Sequence, residues 1–375
     1  MHHPSGSLRI FKENIDFAFR LYKHISALPD SQSKNIFFSP LSVSMALAAL
    51  SLGARGQTHQ QLFEGLGFNR TDITADEVSQ AFQHVLQDLN KKTAADLSLG
   101  NALFIEETFK PRPEFLESMK LYFQSEGFST NFSKTEEAKE QINKYVEEKT
   151  KGKITNLVEK LDPQTVMYLI SYIYFKGKWE VPFDPNSTKE APFHINDTTT
   201  VPVQMMSEKN DFHVYYDKEI STDVLQLKYN GSVSMLLLLP EKSLSGLENV
   251  ICRQHVAKWL RWMKKENYRV FVPKFSIGTS YSLNDVLTGM GFTHIFDDTA
   301  DFTGITEEQK VKVSEVVHQA TLDIDELGAT AAAVTGVVLV PYSAQRTRIL
   351  RYCSFSKGPL SLPEDALGSH WLGFT

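Results

Sequence analysis

Residues 325–343 read Asp-Glu-Leu-Gly-Ala-Thr-Ala-Ala-Ala-Val-Thr-Gly-Val-Val-Leu-Val-Pro-Tyr-Ser. Two kinds of chemistry are written in them. From Ala329 to Ala333 the side chains are very small, so a β-sheet could admit this run between its strands with little steric resistance. Pro341-Tyr342-Ser343 then offers a peptide bond that looks like bait for a protease. A plainer alternative is an alanine-rich helix followed by a loop, because alanine is the best helix former. The chain carries no Gly-x-Ser-x-Gly elbow, no His-Glu-x-x-His and no P-loop. Its eleven histidines are scattered and form no metal-like cluster. No enzyme activity, metal or cofactor is therefore expected.

What precedes the small residues decides between the alternatives. From Val311 to Ile324 apolar and polar residues largely alternate, which is strand periodicity. A strand expected over 310–324 therefore runs directly into the small-residue segment.

Other elements can be placed more coarsely. Phe11, Ile15, Phe19, Tyr22 and Ile25 form one helical stripe within residues 8–28. Ser39-Pro40 opens a mostly apolar helix to about residue 52, with serine suited to the cap and proline to the first turn. Thr58 is expected to cap the next helix. Residues 97–106 read as a strand and 134–151 as an amphipathic helix stopped near Gly152. Val166–Phe175 is an apolar run that fits a central strand covered on both faces, or a buried helix; period alone does not separate the two. Met235–Leu239 and Tyr268–Phe275 read as further strands.

Composition narrows the function. With 375 residues, 42% of them hydrophobic, and 25 phenylalanines, the chain can bury a sizeable core. Its net charge of −6 argues against a general nucleic-acid binder. No apolar stretch reaches the length of a membrane span. Residues 1–7 lack the apolar centre of a signal peptide and are expected to be a flexible start. Two cysteines, Cys252 and Cys353, make no disulfide framework. Five Asn-x-Ser/Thr triplets, at Asn69, Asn131, Asn186, Asn196 and Asn230, together favour a secreted glycoprotein, although each alone could arise by chance.

Several ordered segments carry a family resemblance. They are Asn35-Ile36-Phe37-Phe38-Ser39-Pro40-Leu41-Ser42, Leu52-Gly53-Ala54-Arg55-Gly56-Gln57-Thr58, Asn101-Ala102-Leu103-Phe104, Tyr174-Phe175-Lys176-Gly177-Lys178-Trp179 and Val272-Pro273-Lys274-Phe275-Ser276, with Lys312–Glu326 and the small-residue run after them. Over residues 8–352 the chain resembles the serpins, the serine protease inhibitor superfamily, in its extracellular antitrypsin-like branch. The resemblance implies an α+β fold with about nine helices around a central mixed five-stranded sheet, two smaller sheets, and an exposed reactive-centre loop over about 326–346. It implies a secreted monomeric inhibitor whose partner is a serine protease.

Carried over residue by residue, the resemblance makes Glu326, Gly328, Ala329, Thr330, Ala331, Ala332, Ala333 and Thr335 the hinge. Ala329, Ala331, Ala333 and Thr335 would face inward on insertion, since a strand sends alternate side chains to one face. The family's scissile bond lies fourteen residues after the hinge glycine, between Tyr342 and Ser343 here. An aromatic residue before that bond suits the hydrophobic slot of a chymotrypsin-like protease. Ser39, Ser42, Ser171 and His318 match the cluster that controls opening of the central sheet, with Ser171 where the family usually has asparagine. Trp179 matches the aromatic residue where insertion begins. Read without the family, these five are satisfied polar groups and a packing residue of an ordinary core.

Two further expectations follow. A helix over 253–265 would carry Arg253, Lys258, Arg261, Lys264 and Lys265, with Lys258, Arg261 and Lys265 on one face. It is either a heparin-type glycosaminoglycan site or an ordinary solvated face. Beyond residue 352 the resemblance stops, and residues 353–375 form an atypical tail in which neither of the family's two closing core strands is visible. The second sheet is then expected to be incomplete, the native state fragile and inhibition poor. A carrier of a small apolar ligand is the rival function; its mark would be a bulky or charged hinge, which this sequence lacks.

Overall fold

The computed structural model describes residues 6–29, 35–92, 96–194, 200–230, 234–242, 244–307, 309–327, 354–356 and 370–372. The helices among them are α1 (Gly6–Ser26), α2 (Pro40–Ser51), α3 (Gly56–Gly65), α4 (Ala75–Lys92), α5 (Pro113–Phe123), α6 (Thr135–Lys149), α7 (Leu244–Val250), α8 (Arg253–Trp262) and α9 (Asn284–Gly289). The strands are β1 (Asp96–Glu106), β2 (Glu126–Thr130), β3 (Met167–Lys176), β4 (Lys189–His194), β5 (Thr200–Asp217), β6 (Thr222–Lys228), β7 (Ser234–Pro240), β8 (Lys264–Pro273), β9 (Phe275–Ser282), β10 (Glu315–Ile324), β11 (Ser354–Ser356) and β12 (His370–Leu372).

The central sheet has the order β2-β1-β3-β10-β9. It is mixed: β1/β2 and β3/β10 are parallel, while β1/β3 and β10/β9 are antiparallel. The apolar run at 167–176 is explained by burial on both faces. Met167 and Leu169 join Leu103, Ile105 and Val316 in the core that α1 to α5 cover. The alternate residues Tyr168, Ile170 and Tyr172 join Ala102, Phe104 and Val317 against Ala138, Ile142 and Val146, the buried stripe of α6. Gly152, at φ +78°, ends the turn after α6 in a conformation that suits glycine.

The second sheet has seven strands, in the order β11-β8-β5-β6-β7-β12, with β4 also on β5. The eighteen-residue β5 pairs β4 at its start, β8 along its middle and β6 at its end. It thereby joins into one sheet what the sequence suggests as two smaller ones.

Four expectations change. Gly6 and Ser7, expected to be part of a flexible start, belong to α1, and residues 1–5 lie outside the described residues. Thr58 does not cap α3: it is buried inside the helix, and its hydroxyl accepts from the Asp301 backbone N–H at 2.9 Å. Residues 310–314 precede β10 rather than begin it: the Val313 backbone N–H donates to Ile295, outside the sheet, and the chain first meets β3 where the Ser314 backbone N–H donates to the Met167 carbonyl. The tail does supply strands. β12 pairs Leu236–Leu238 of β7, and β11 pairs Arg269–Phe271 of β8, so part of each strand edge is covered.

Candidate functional site

The site is built on the seam where β3 and β10 run parallel over eight paired positions, from Tyr168↔Glu315 to Phe175↔Leu322. In the middle of it Ser171 stands directly opposite His318. The row continues to Asn101 on β1 and Tyr281 on β9. All this faces α2, whose N-cap Ser39 is fixed by its own cap: the Ser39 hydroxyl accepts from the Ser42 backbone N–H at 3.1 Å.

His318 is completely buried between these elements. The Ser39 backbone N–H donates to His318 Nε2 at 2.9 Å. Nε2 must therefore be unprotonated, and the proton sits on Nδ1, which reaches Ser171 Oγ at 2.7 Å. The Ser42 hydroxyl lies 2.8 Å from Ser39 Oγ and 3.2 Å from the Tyr172 carbonyl oxygen. Burial lowers the His318 pKa to about 3, against a weaker opposing effect of its bond with Ser171. The imidazole is neutral, and its ring ties α2, β3 and β10 together. The short Ser171 hydroxyl thus keeps the bond to His318 that the asparagine of the resemblance would be expected to make.

The C-terminal end of the same seam is closed by charge. Tyr174 donates its hydroxyl to Asp323 Oδ2 at 3.0 Å, and Ser276 on β9 donates to Asp323 Oδ1. Lys176 pairs with Asp325 at 3.0 Å, and Trp179 Nε1 donates to the Asp325 carbonyl at 2.8 Å. Trp179 itself is buried and stacks on Tyr229 with ring centroids 4.2 Å apart. Beyond β10 the chain is held by Phe183, whose backbone N–H donates to the Glu326 carbonyl at 2.7 Å. The Glu326 carboxylate takes Lys274 at 3.0 Å and the Thr188 hydroxyl at 2.9 Å. Burial pushes this carboxyl up, but the hydrogen bonds from Lys274, its own backbone and Thr188 outweigh that and hold it below the usual glutamate range.

Five predicted residues, Ser39, Ser42, Ser171, Trp179 and His318, thus lie along one seam, with Glu326 at its end. Gly328, Ala329, Thr330, Ala331, Ala332, Ala333, Thr335, Tyr342 and Ser343 lie outside the described residues. Sequence reasoning missed Lys274, Asp323, Asp325, Tyr174 and Thr188. Their signal was absent because each acts through a partner far along the chain, as Lys274 does on Glu326 fifty-two residues on.

The basic helix is corrected. α8 ends at Trp262, so Lys264 and Lys265 stand on β8 and the face shared by Lys258, Arg261 and Lys265 does not exist. Met263, at φ −58° and ψ 139°, turns the chain out of the helix. Lys258 is engaged with buried Asp217 at 2.9 Å and Glu219 at 3.6 Å, and Trp259 Nε1 also donates to Asp217 at 2.8 Å. Arg253 pairs with Asp16 at 3.2 Å. Of the five triplet asparagines, Asn69 and Asn186 are exposed, Asn131 and Asn230 are half-buried, and Asn196 lies outside the described residues. Asn69 accepts from both the backbone and the hydroxyl of Thr71, and Asn131 accepts likewise from Ser133.

Comparison with known proteins agrees with this architecture. The family model described as Serpin (serine protease inhibitor) matches residues 12–351. Among curated proteins, an alpha-1-antitrypsin-like protein, GS55-MS, of Ictidomys tridecemlineatus is 43% identical over 91% of this chain and 82% of its own. The alpha-1-antiproteinase of Callosciurus caniceps is 43% identical over 96% of this chain and 89% of its own. Among solved structures, human thyroxine-binding globulin in complex with thyroxine superposes with a TM-score of 0.83 at 40% identity, covering 90% of this chain and 92% of that one. Human glycosylated kallistatin gives 0.81 at 37% identity, covering 88% and 91%. The fold, the seam and these matches together place the chain in the serpin family of serine protease inhibitors.

Proposed function

We propose that this serpin is a secreted suicide-substrate inhibitor of chymotrypsin-like serine proteases, with Tyr342-Ser343 as the reactive bond. The observation that carries the reading is the β3/β10 seam. These neighbours are parallel, so a chain leaving the end of β10 and folding back between them would lie antiparallel to both. The hinge begins at Glu326, the end of that seam, and from Gly328 to Ala333 its side chains are small enough for that place. The target's serine attacks the Tyr342 carbonyl and the acyl-enzyme forms, releasing the amine of Ser343. The freed hinge then enters the seam. About fourteen residues at roughly 3.3 Å each carry the tethered protease some 45 Å, distorting its oxyanion hole and stalling deacylation. The energy comes from strand pairing withheld in a metastable native state.

Incubation with chymotrypsin, read on a denaturing gel, tests this. A band at the summed mass supports it; complete conversion to cleaved chain with no such band contradicts it.

The likeness to thyroxine-binding globulin favours a second reading, in which the chain carries a small apolar ligand and loop movement releases it. The uncharged hinge weighs against it. The short β12, three residues on β7, supports a milder variant, an inhibitor whose second sheet is thinly closed. A glycosaminoglycan cofactor would use Arg261, Lys264 and Lys265, since Lys258 and Arg253 are already paired.

A further inference from the structure

The turn from α8 into β8 concentrates exposed side chains of two kinds. Leu260 and Trp262 are 48% and 55% exposed, among the most exposed large apolar residues described. Arg261, Lys264 and Lys265 are exposed beside them, and only Met263 turns inward, against the core of Val256 and Trp259. The Arg261 guanidinium lies over the Trp262 ring at 5.4 Å. Among the described residues no ion pair engages Arg261, Lys264 or Lys265, whereas Lys258 on the same helix is neutralised by Asp217 and Glu219.

The positive field extends onto the sheet. Lys265 is opposite His213 on β5, and exposed Lys228 is near enough to act on the same ring. Burial first, and then these two lysines, hold His213 below its ordinary pKa against an opposing effect of Glu180. A local cationic corner on a chain of net charge −6 attracts an anionic surface only if that corner leads.

We propose that this corner docks on anionic phospholipid bilayers. Tryptophan settles at the membrane–water boundary, where its ring is half in the apolar phase. Leu260, two residues earlier on α8 and also exposed, adds apolar area at the other flank of Arg261, and arginine and lysine around them meet the headgroup charge. A sulfated polysaccharide would satisfy the cations but offers no apolar phase to Leu260 and Trp262. The apolar pair is what favours lipid over polysaccharide. Docking here would hold the inhibitor at a membrane surface without a membrane span.

Co-sedimentation of the full chain tests this, using vesicles of phosphatidylcholine alone and of phosphatidylcholine with phosphatidylserine, beside elution from immobilised heparin. The wild type binds the phosphatidylserine vesicles and not the neutral ones. Leu260→Ser with Trp262→Ser lowers vesicle affinity by about tenfold or more while heparin elution stays put, because only the apolar insertion is lost. Arg261→Gln with Lys264→Gln and Lys265→Gln lowers vesicle binding as well. Thermal midpoints near wild type confirm that both variants fold, as expected for exposed positions. No wild-type binding to the charged vesicles would overturn the proposal. So would undiminished vesicle binding by the folded Leu260/Trp262 variant, or heparin elution falling as far as vesicle binding in that variant.

Discussion

Ser171 Oγ and His318 Nδ1 lie 2.7 Å apart across the β3/β10 seam, the seam into which the proposed mechanism inserts the hinge. The bond is fixed in direction by its neighbour. Ser39 N–H occupies Nε2, so the ring has one proton to give, and gives it to Ser171. A second proton on the ring would face the Ser39 donor and cost that hydrogen bond.

That arrangement predicts a pH dependence. Native His318 takes up its second proton only near pH 3, whereas the unfolded side chain does so near 6.5. Tyr281, opposite His318 on β9, has its pKa raised to about 12 by burial and stays neutral throughout. The stability tied to neutral His318 is therefore complete above about pH 6.5. It is lost as pH falls toward 3, at about 1.4 kcal/mol per pH unit. Urea midpoints of wild type and His318→Gln, measured from pH 7 to 4, check this. The wild type should lose stability more steeply by about that slope; equal slopes would refute it.

Lys274→Met should loosen the end of β10. It leaves the Glu326 carboxylate, 10% exposed, with only Thr188 and its own backbone. The expected loss is about 2 kcal/mol, below the figure for a fully buried pair because water reaches both partners. Size-exclusion chromatography after mild heating should also show more polymer. An unchanged thermal midpoint and no added polymer would mean the pair contributes nothing.

The small side chains of the hinge matter only if they enter the sheet. Ala331→Arg or Thr335→Arg places a charge that would be buried without a partner once inserted, which is costly. Each variant should be cleaved by chymotrypsin as a substrate, with little stable complex on a denaturing gel. Wild-type amounts of complex in both would show that neither position enters the sheet.

Much of this fold was legible because its signals are local. The Ser39-Pro40 cap, the apolar run of β3 and the alternation in β10 are each written within about ten residues; the structure has the cap where expected, makes the apolar run a strand rather than a buried helix, and starts β10 at Glu315 instead of residue 310. The length of the basic helix was not legible, because Met263 turns the chain into β8 and the pairing with β5 claims Lys264 and Lys265. The seam's charge locks were hidden for a similar reason: Lys274, Asp323 and Asp325 look like solvated residues until distant strands are laid side by side. The tail strands were missed because three-residue segments such as His370–Leu372 carry no period, and only the β7 edge makes them strands.

That edge yields its own prediction. Deleting residues 369–375 removes β12 and uncovers Leu236–Leu238 as a free edge. The truncated chain should show a lower thermal midpoint and more aggregate in light scattering than the full chain. Matching behaviour of the two would show that β12 does not matter to the second sheet.

The central claim is that chymotrypsin attacks this chain at one bond and is trapped there. Mass spectrometry of the fragment released during the reaction, with the complex quantified beside it, tests that claim in one measurement. The account predicts a fragment beginning at Ser343, released in step with a covalent complex whose acyl bond is to Tyr342. A fragment beginning elsewhere, or one beginning at Ser343 while free active chymotrypsin is fully recovered, would contradict it.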